Sequence, residues 1–360
     1  MRTLSTAAIT LTLSLTSYSS HALDVEPVAS GLVVPWGMAF IDAHQLLVTE
    51  RNGTVKWLNI ARNQQQSLTK PDDVAASGQG GLLDIAIDPN ATNTVYLTYS
   101  KQTSKGAVTA LATSQLQQGS LSPWQDILVS VSATGTSRHY GSRITFDGEG
   151  SVYLSIGDRG ERDNGQDLST HAGAILRLNK DGSAVESNPF NKQENALPEI
   201  FSYGHRNPQG LYFDNHTQSL WSIEHGPRGG DEINLIEQGQ NYGWATVSHG
   251  KEYWGPISVG EAKSLPGMED PKLVYIPSIA PSGLVLYRGE RYPSLDGKLL
   301  AGALKLTHIN VVGIHNGELK EEARLFEDLG ERIRDIEVSP DGLIYFSTDS
   351  GTIYRIKPEL

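Results

Sequence analysis

Apolar residues in this chain come in short alternating runs, rich in β-branched and aromatic side chains, with Gly, Asp and Asn between them. Gln45–Thr49, Val95–Tyr99, Ser151–Ile156, Ser219–Ile223 and Leu343–Ser347 are examples. Alternation over this length predicts strands rather than helices. Long stretches with a 3.6-residue period are absent, and only Leu319–Phe326 has a briefly helical pattern.

The strands recur as a unit. An apolar strand ends near Asp-Gly or Asp-Pro, and a second strand rich in Val, Leu and Tyr follows. The pattern runs from Gly37–Asp42 to Leu46–Thr49, and from Leu83–Pro89 to Val95–Leu97. It continues from Arg143–Gly148 to Val152–Leu154, and from Gly210–Asp214 to Leu220–Ser222. It ends with Ser282–Tyr287 to Lys298–Ala301, and Ile333–Ser339 to Ile344–Phe346. Such repetition predicts an all-β fold, a six-bladed β-propeller of four-stranded antiparallel blades, because each blade must stack on neighbours to bury its faces. A pair of β-sandwiches with coincidental hairpins is the competing arrangement. The wider spacings imply long insertions at Gly157–Pro198 and Asn241–Pro277, and both are expected at the end that carries the pocket. No linker divides residues 23–360, so they are expected to form a single domain.

Composition narrows the class. Arg2 is the only charged residue before Asp24, the run Ala7–Leu15 is weakly apolar, and Ser20-His21-Ala22 resembles a cleavage site. Residues 1–22 therefore read as a secretory signal peptide, cleaved near Ala22, with an apolar run too short to span a bilayer. The formal charge is −12, and it becomes −13 once Arg2 is removed with that segment. This excess of acid excludes the basic surface that nucleic acid or anionic lipid needs. There is no cysteine, so neither a disulfide framework nor a lipid-modified cysteine is available. A periplasmic or secreted protein without membrane insertion is expected, stabilised by its core, by metal, or by both.

Several polar segments fall at equivalent places in the repeat. Arg138-His-Tyr-Gly-Ser-Arg143 precedes the third unit, and Tyr203-Gly-His-Arg-Asn-Pro-Gln-Gly210 precedes the fourth. Arg332 and Arg334, two apart, share one face of a strand. Lys305 stands in the otherwise apolar run Leu299–Leu306, where it needs an anionic partner or a route to solvent. Gln79, His139, Arg206, Asn207, Lys305, Arg332 and Arg334 all lie in or near loops that lead into innermost strands. In a propeller such loops converge on one end of the channel. Four cations meeting there on an acidic protein imply a small bound polyanion.

In order along the chain, Val34-Pro-Trp-Gly37, Gly78-Gln-Gly-Gly-Leu-Leu-Asp-Ile85, His139-Tyr-Gly-Ser-Arg143, Ile156-Gly-Asp158, His205-Arg-Asn-Pro-Gln-Gly210, His225-Gly-Pro-Arg-Gly-Gly-Asp-Glu-Ile-Asn234, Asn241-Tyr-Gly-Trp244, Pro277-Ser-Ile-Ala-Pro-Ser-Gly283 and Arg332-Ile-Arg-Asp335 resemble the soluble pyrroloquinoline quinone (PQQ)-dependent aldose sugar dehydrogenases of the glucose/sorbosone dehydrogenase family. The resemblance implies oxidation of an aldose at its C1 hydroxyl to the lactone, with His139 as general base. It implies PQQ held by Gln79, Arg206, Asn207, Tyr253, Lys305, Arg332 and Arg334. It implies Ca²⁺ on the backbone carbonyls of Gly226 and Pro227, and a second, structural calcium at Glu232 and Tyr242. The partners it implies are a small aldose and a soluble electron acceptor, with the protein a monomer or homodimer. Arginine forks and a lysine suit the three carboxylates of PQQ, and calcium takes oxygen ligands, backbone carbonyls included.

The chain departs from the family pattern in places. Arg138 stands where glucose-specific relatives carry an acid, Gly165-Gln166 replaces Ala-Gln, and His171–Ala174 replaces a Gly-Lys. Ile276 replaces an aromatic residue near the substrate, which implies broad aldose specificity. The alternatives are a secreted propeller that only binds, and a calcium-dependent hydrolase or lactonase. The latter needs a carboxylate cage where this chain has basic residues.

Overall fold

The computed structural model describes residues 23–359; the expected signal peptide lies outside them. Six antiparallel sheets follow one another along the chain. Blade 1 comprises Pro35–Phe40, Gln45–Glu50, Thr54–Asn59 and Gln64–Leu68. Blade 2 comprises Leu82–Ile87, Thr94–Thr103, Gly106–Gln117 and Gln125–Val129, and Ser120–Leu121 adds a short side pair. Blade 3 comprises Ile144–Phe146, Ser151–Ile156, Ala174–Asn179 and Ile200–Tyr203. Blade 4 comprises Pro208–Asp214, Ser219–Glu224, Asp231–Ile236 and Leu273–Tyr275. Blade 5 comprises Pro281–Leu286, Leu299–Ala303, Ile309–His315 and Glu318–Leu325. Blade 6 takes Ile333–Val338, Ile344–Thr348 and Ile353–Ile356 from the C-terminus and Val25–Ala29 from the N-terminus.

Alternation along each strand sends apolar side chains to both faces of a blade, and the core lies between blades. Leu47, Val55, Leu82 and Leu97 join blades 1 and 2. Tyr96, Leu111, Leu154 and Leu176 join blades 2 and 3, and Tyr153, Phe201, Leu211 and Leu220 join blades 3 and 4. Matching clusters join 4 to 5, 5 to 6 and 6 back to 1. The ring is closed by pairing of Val25–Ala29 with Ile353–Ile356. This six-bladed, four-stranded propeller is the fold that the repeats predict.

Three local expectations need correction. The run Leu319–Phe326 is not helical. Glu318–Leu325 is the outermost strand of blade 5, paired with Ile309–His315, and its exposed Lys320, Glu322 and Arg324 carry the charge that protects a sheet edge. The run with Lys305 ends as a strand at Ala303. There the backbone leaves the ladder, and Leu304 and Lys305 donate their N–H groups to Ala280 and Ile279. Finally, the first long insertion is divided. Its residues 174–179 form the third strand of blade 3, so residues 157–173 lie at the end reached by the leading loops and residues 180–199 at the opposite end.

Candidate active site at the mouth of the channel

Strand register fixes which loops share an end. Pro35 pairs with Glu50, Pro208 with Glu224, Pro281 with Ala303 and Ile333 with Thr348. The loops leading into innermost strands therefore sit beside the loops joining second and third strands. This brings Gln79, His139, Arg206, Asn207, Arg332 and Arg334 to the same end as the 225–230 turn and Lys305.

His139 is held in an unusual conformation. Its φ of 56° is left-handed, which costs a side-chain-bearing residue about 1–2 kcal/mol. Two contacts oppose that cost. Gln79 Oε1 accepts the His139 N–H at 2.7 Å, and the guanidinium of fully buried Arg159 donates to the carbonyl of Arg138. The same guanidinium donates to the carbonyls of Ala107 and Thr136 and stacks on the Tyr140 ring at 3.6 Å. The ring of His139 is oriented by Asp158. Its Nδ1 lies 2.6 Å from Asp158 Oδ1, so Nδ1 carries the proton and Nε2 keeps its lone pair. Asp158 is itself fixed by Trp244 Nε1 at 2.7 Å and by the Gly160 N–H at 2.7 Å. Burial pushes the His139 pKa below its ordinary value, Asp158 opposes this, and Arg206 and Arg138 reinforce it. The imidazole is thus neutral at neutral pH, as a proton acceptor must be.

Trp244 arrives from the long insertion in blade 4. Gln166 and Asn241 exchange hydrogen bonds of 3.0 and 2.8 Å, and Gln166 also donates to the Trp244 carbonyl. A side chain at Gly165 would place its Cβ 2.3 Å from that carbonyl, which accounts for glycine there. Buried His171 bonds to the Val131 N–H and to Glu199, an internal role.

Three contiguous cavities meet at His225. The first, about 190 Å³ in the channel mouth, is lined by Gln79, Asn207, Arg332 and Arg334, with Trp36, Arg51 and Tyr140. The second, about 780 Å³, is lined by Gly226, Pro227, Tyr253, Ile276 and Lys305. The third is a small polar recess lined by Arg206, Gly226, Glu232 and Tyr242, together with Glu224. The structure thus brings together every sequence-predicted site residue except His139, which lines none of these cavities and is joined to them through Gln79.

The polar frame is built by a few buried acids. Glu224 accepts from His205 Nδ1 at 2.9 Å and from the Arg206 N–H at 2.7 Å, tying the two conspicuous motifs together. Asp231 accepts from the N–H groups of Gly226 and Ala280 and from the Ser278 hydroxyl, which fixes the Gly226-Pro227 turn. Burial raises the Asp231 pKa to about 6. Asp349 grips both arginines of the pair, at 2.8 Å from Arg332 Nε and 2.8 Å from Arg334 Nε. It offsets one of their two charges. Arg206 Nε is buried without a hydrogen-bond partner among the described residues.

Sequence reasoning missed Asp158, Trp244, His225 and Asp349 as members of the site. The first three stand inside conspicuous motifs. Asp349 carries no signal of its own, because only the blade 6 register sets it beside the arginines.

A sequence profile of the Glucose / Sorbosone dehydrogenase family matches residues 32–355. The chain belongs to this family. The Aldose sugar dehydrogenase YliI of Escherichia coli (strain K12) is 35% identical over 346 residues, covering 93% of each chain. The Quinoprotein glucose dehydrogenase B of Acinetobacter calcoaceticus is 26% identical over 419 residues, covering 92% of this chain and 86% of its own. The crystal structure of the soluble Aldose sugar dehydrogenase from Escherichia coli in the apo-form superposes with a TM-score of 0.90. It is 33% identical and covers 94% of this chain and 100% of its own. Membership of a dehydrogenase family disfavours the binding-module and hydrolase alternatives. Among the described residues no helix is long and apolar enough to cross a membrane.

Proposed function

We propose that this family member is an exported aldose sugar dehydrogenase that oxidises the C1 hydroxyl of an aldose to the lactone, with PQQ as hydride acceptor and His139 as general base. The observation that carries the reading is the His139 ring, its Nδ1 held by Asp158, beside a cationic channel mouth. The donor set fits PQQ. Arg206 Nε is an orphaned buried donor, Lys305 is exposed at the cavity wall without a carboxylate partner among the described residues, and Arg332 with Arg334 keep one positive charge beyond Asp349. Gln79 Nε2 and Asn207 Nδ2 remain as neutral donors, and Tyr253 stands at the rim.

PQQ, when bound, supplies the two-electron acceptor for the C1 hydride. The chain's own residues do the rest. His139 Nε2 takes the hydroxyl proton, Asp158 stabilises the resulting imidazolium, and Trp244 holds Asp158 in place. Two places would hold calcium in this reading. The Gly226-Pro227 turn, fixed by Asp231, lines the large cavity, and its backbone carbonyls would be the ligands there. Glu232 shares the small recess with Glu224 and has no ion pair among the described residues, and burial holds its pKa well above the ordinary value. A cation there would relieve both. The Tyr242 hydroxyl is committed to the Leu235 carbonyl and the Glu237 N–H, so Tyr242 would serve through its backbone.

The test is reconstitution. Purified protein given PQQ and Ca²⁺ should reduce a redox dye in the presence of aldoses. A reconstituted protein that binds PQQ yet oxidises no aldose would turn the reading toward a secreted binding module.

A further inference from the structure

The large cavity carries more positive charge than the cofactor contacts proposed above use. Beyond Lys305, its wall includes Arg228, Lys251 and Lys263. Arg228 and Lys251 face each other directly in an antiparallel bridge, each N–H donating to the other's carbonyl at 3.1 Å. Their side chains therefore leave the ribbon on one face, where like charges directly opposite destabilise it. No carboxylate lies within ion-pair distance of Arg228, Lys251 or Lys263 among the described residues. Glu252, next to Lys251, is committed to Arg162 through bonds of 2.7 and 2.8 Å. The acid in the wall, Asp231, has both oxygens engaged by Gly226, Ser278 and Ala280. This concentration of cations runs against the protein's charge of −12.

The shape of the surface selects the class of ligand. The cations line a concavity of about 780 Å³ that meets the channel mouth at His225 and Ala280. This is small-molecule size, whereas an acidic protein would be met by a flat or convex basic face. Tyr253, 66% accessible, lines the same cavity two residues from Lys251 and offers an apolar face to a sugar ring.

Resting on the dehydrogenase reading, we infer that the site selects acidic aldoses, sugars with a free C1 hydroxyl at one end and an anionic group, a carboxylate or a phosphate, at the other. The anion would be read by Arg228, Lys251 and Lys263. The reaction balances as for a neutral sugar. The C1–H bond breaks and its electron pair leaves as hydride to the quinone, the C1 hydroxyl proton goes to His139, and the C1=O bond of the lactone forms. The anionic group is unchanged.

The experiment compares D-glucuronate and D-glucose 6-phosphate with D-glucose, in the wild type and in an Arg228→Gln/Lys251→Gln variant. Two readouts are taken on PQQ-loaded protein: kcat/KM by dye reduction, and calorimetric binding, without dye, to a His139→Asn background whose turnover is slowed. The wild type should favour at least one acidic sugar by about tenfold, the equivalent of one good ion pair. The preference should shrink with added salt, and the double substitution should bring the ratio close to one. Whichever acidic sugar shows the larger preference names the anion. Equal affinity for acidic and neutral sugars would overturn the inference, as would a preference that survives the double substitution. If the variant instead impairs only reduction of an acidic protein acceptor, the cations belong to a redox partner and the inference also fails. Neutral aldoses oxidised without an acidic preference would sink this inference alone. Absence of all turnover would sink the dehydrogenase reading and leave the binding arm to decide the inference.

Discussion

At the scale of single residues, the proposed base is one imidazole held in a strained loop. His139 owes its left-handed backbone to Gln79 and Arg159, and its tautomer to Asp158. Replacing His139 by Asn should lower kcat by roughly 10²–10⁴-fold, the usual contribution of a general base, while PQQ affinity measured by titration barely moves. Near-normal turnover would end the assignment. Arg138, in place of an acid, helps to keep the His139 pKa low. A base with a lowered pKa stays active further into acid, so Arg138→Gln should move the acidic limb of the kcat/KM profile to higher pH. Asp158 acts in the other direction, and Asp158→Asn should lower kcat and move that limb to lower pH. The arginine pair behaves differently. Arg334→Ala should weaken PQQ binding by about 2–5 kcal/mol, much of it from leaving partner charges unpaired, and activity should return in part at high PQQ concentration. His139 was legible in the sequence because it opens a repeat in a polar loop. Asp158 was not, because an Asp after a strand is common and only folding brings it to 2.6 Å from the ring.

At the scale of elements, the insertion in blade 4 and the first half of the insertion in blade 3 form one structure. Gln166 and Asn241 clamp them together, and Trp244 reaches Asp158 through that clamp. The Gly226-Pro227 turn hangs on Asp231, and Glu232 follows it into the interior. Calcium removal by a chelator should therefore abolish dye reduction and lower the melting temperature, since a ligand bound only by the folded state stabilises it. Glu232→Gln should keep the fold yet lose the calcium-dependent rise in melting temperature, as read by thermal melts with and without Ca²⁺. Activity that persists through chelation would remove calcium from the Gly226-Pro227 turn. The length of these insertions was visible from repeat spacing. Their placement was not, because the third strand of blade 3 is hidden within the first of them.

At the scale of the whole molecule, the channel is held by a buried charge cluster. Arg143 Nη1 lies 3.1 Å from Asp84 and 2.6 Å from Asp335, its Nε donates to the Gln209 carbonyl, and its Nη2 donates to the Arg334 carbonyl. Asp335 also accepts from the Met38 N–H, and Trp36 packs on the guanidinium at 4.2 Å. Five of the six blades meet in this cluster. Arg143→Met should cost about 3–5 kcal/mol, since it strands two buried acids; a denaturation midpoint close to wild type would show the cluster to be dispensable. By itself the sequence determined the blade count, the four-stranded plan and most of the residues around the pocket, because alternation and repeat spacing are local properties written in each segment. It also determined that the pocket is basic on an acidic chain. Tertiary structure alone decided that Val25–Ala29 closes the ring with Ile353–Ile356, that Asp349 shares the arginine pair, and that Arg228 and Lys251 face one cavity. Each joins segments far apart in sequence or depends on pairing register, and no local pattern specifies which remote backbone will arrive beside it.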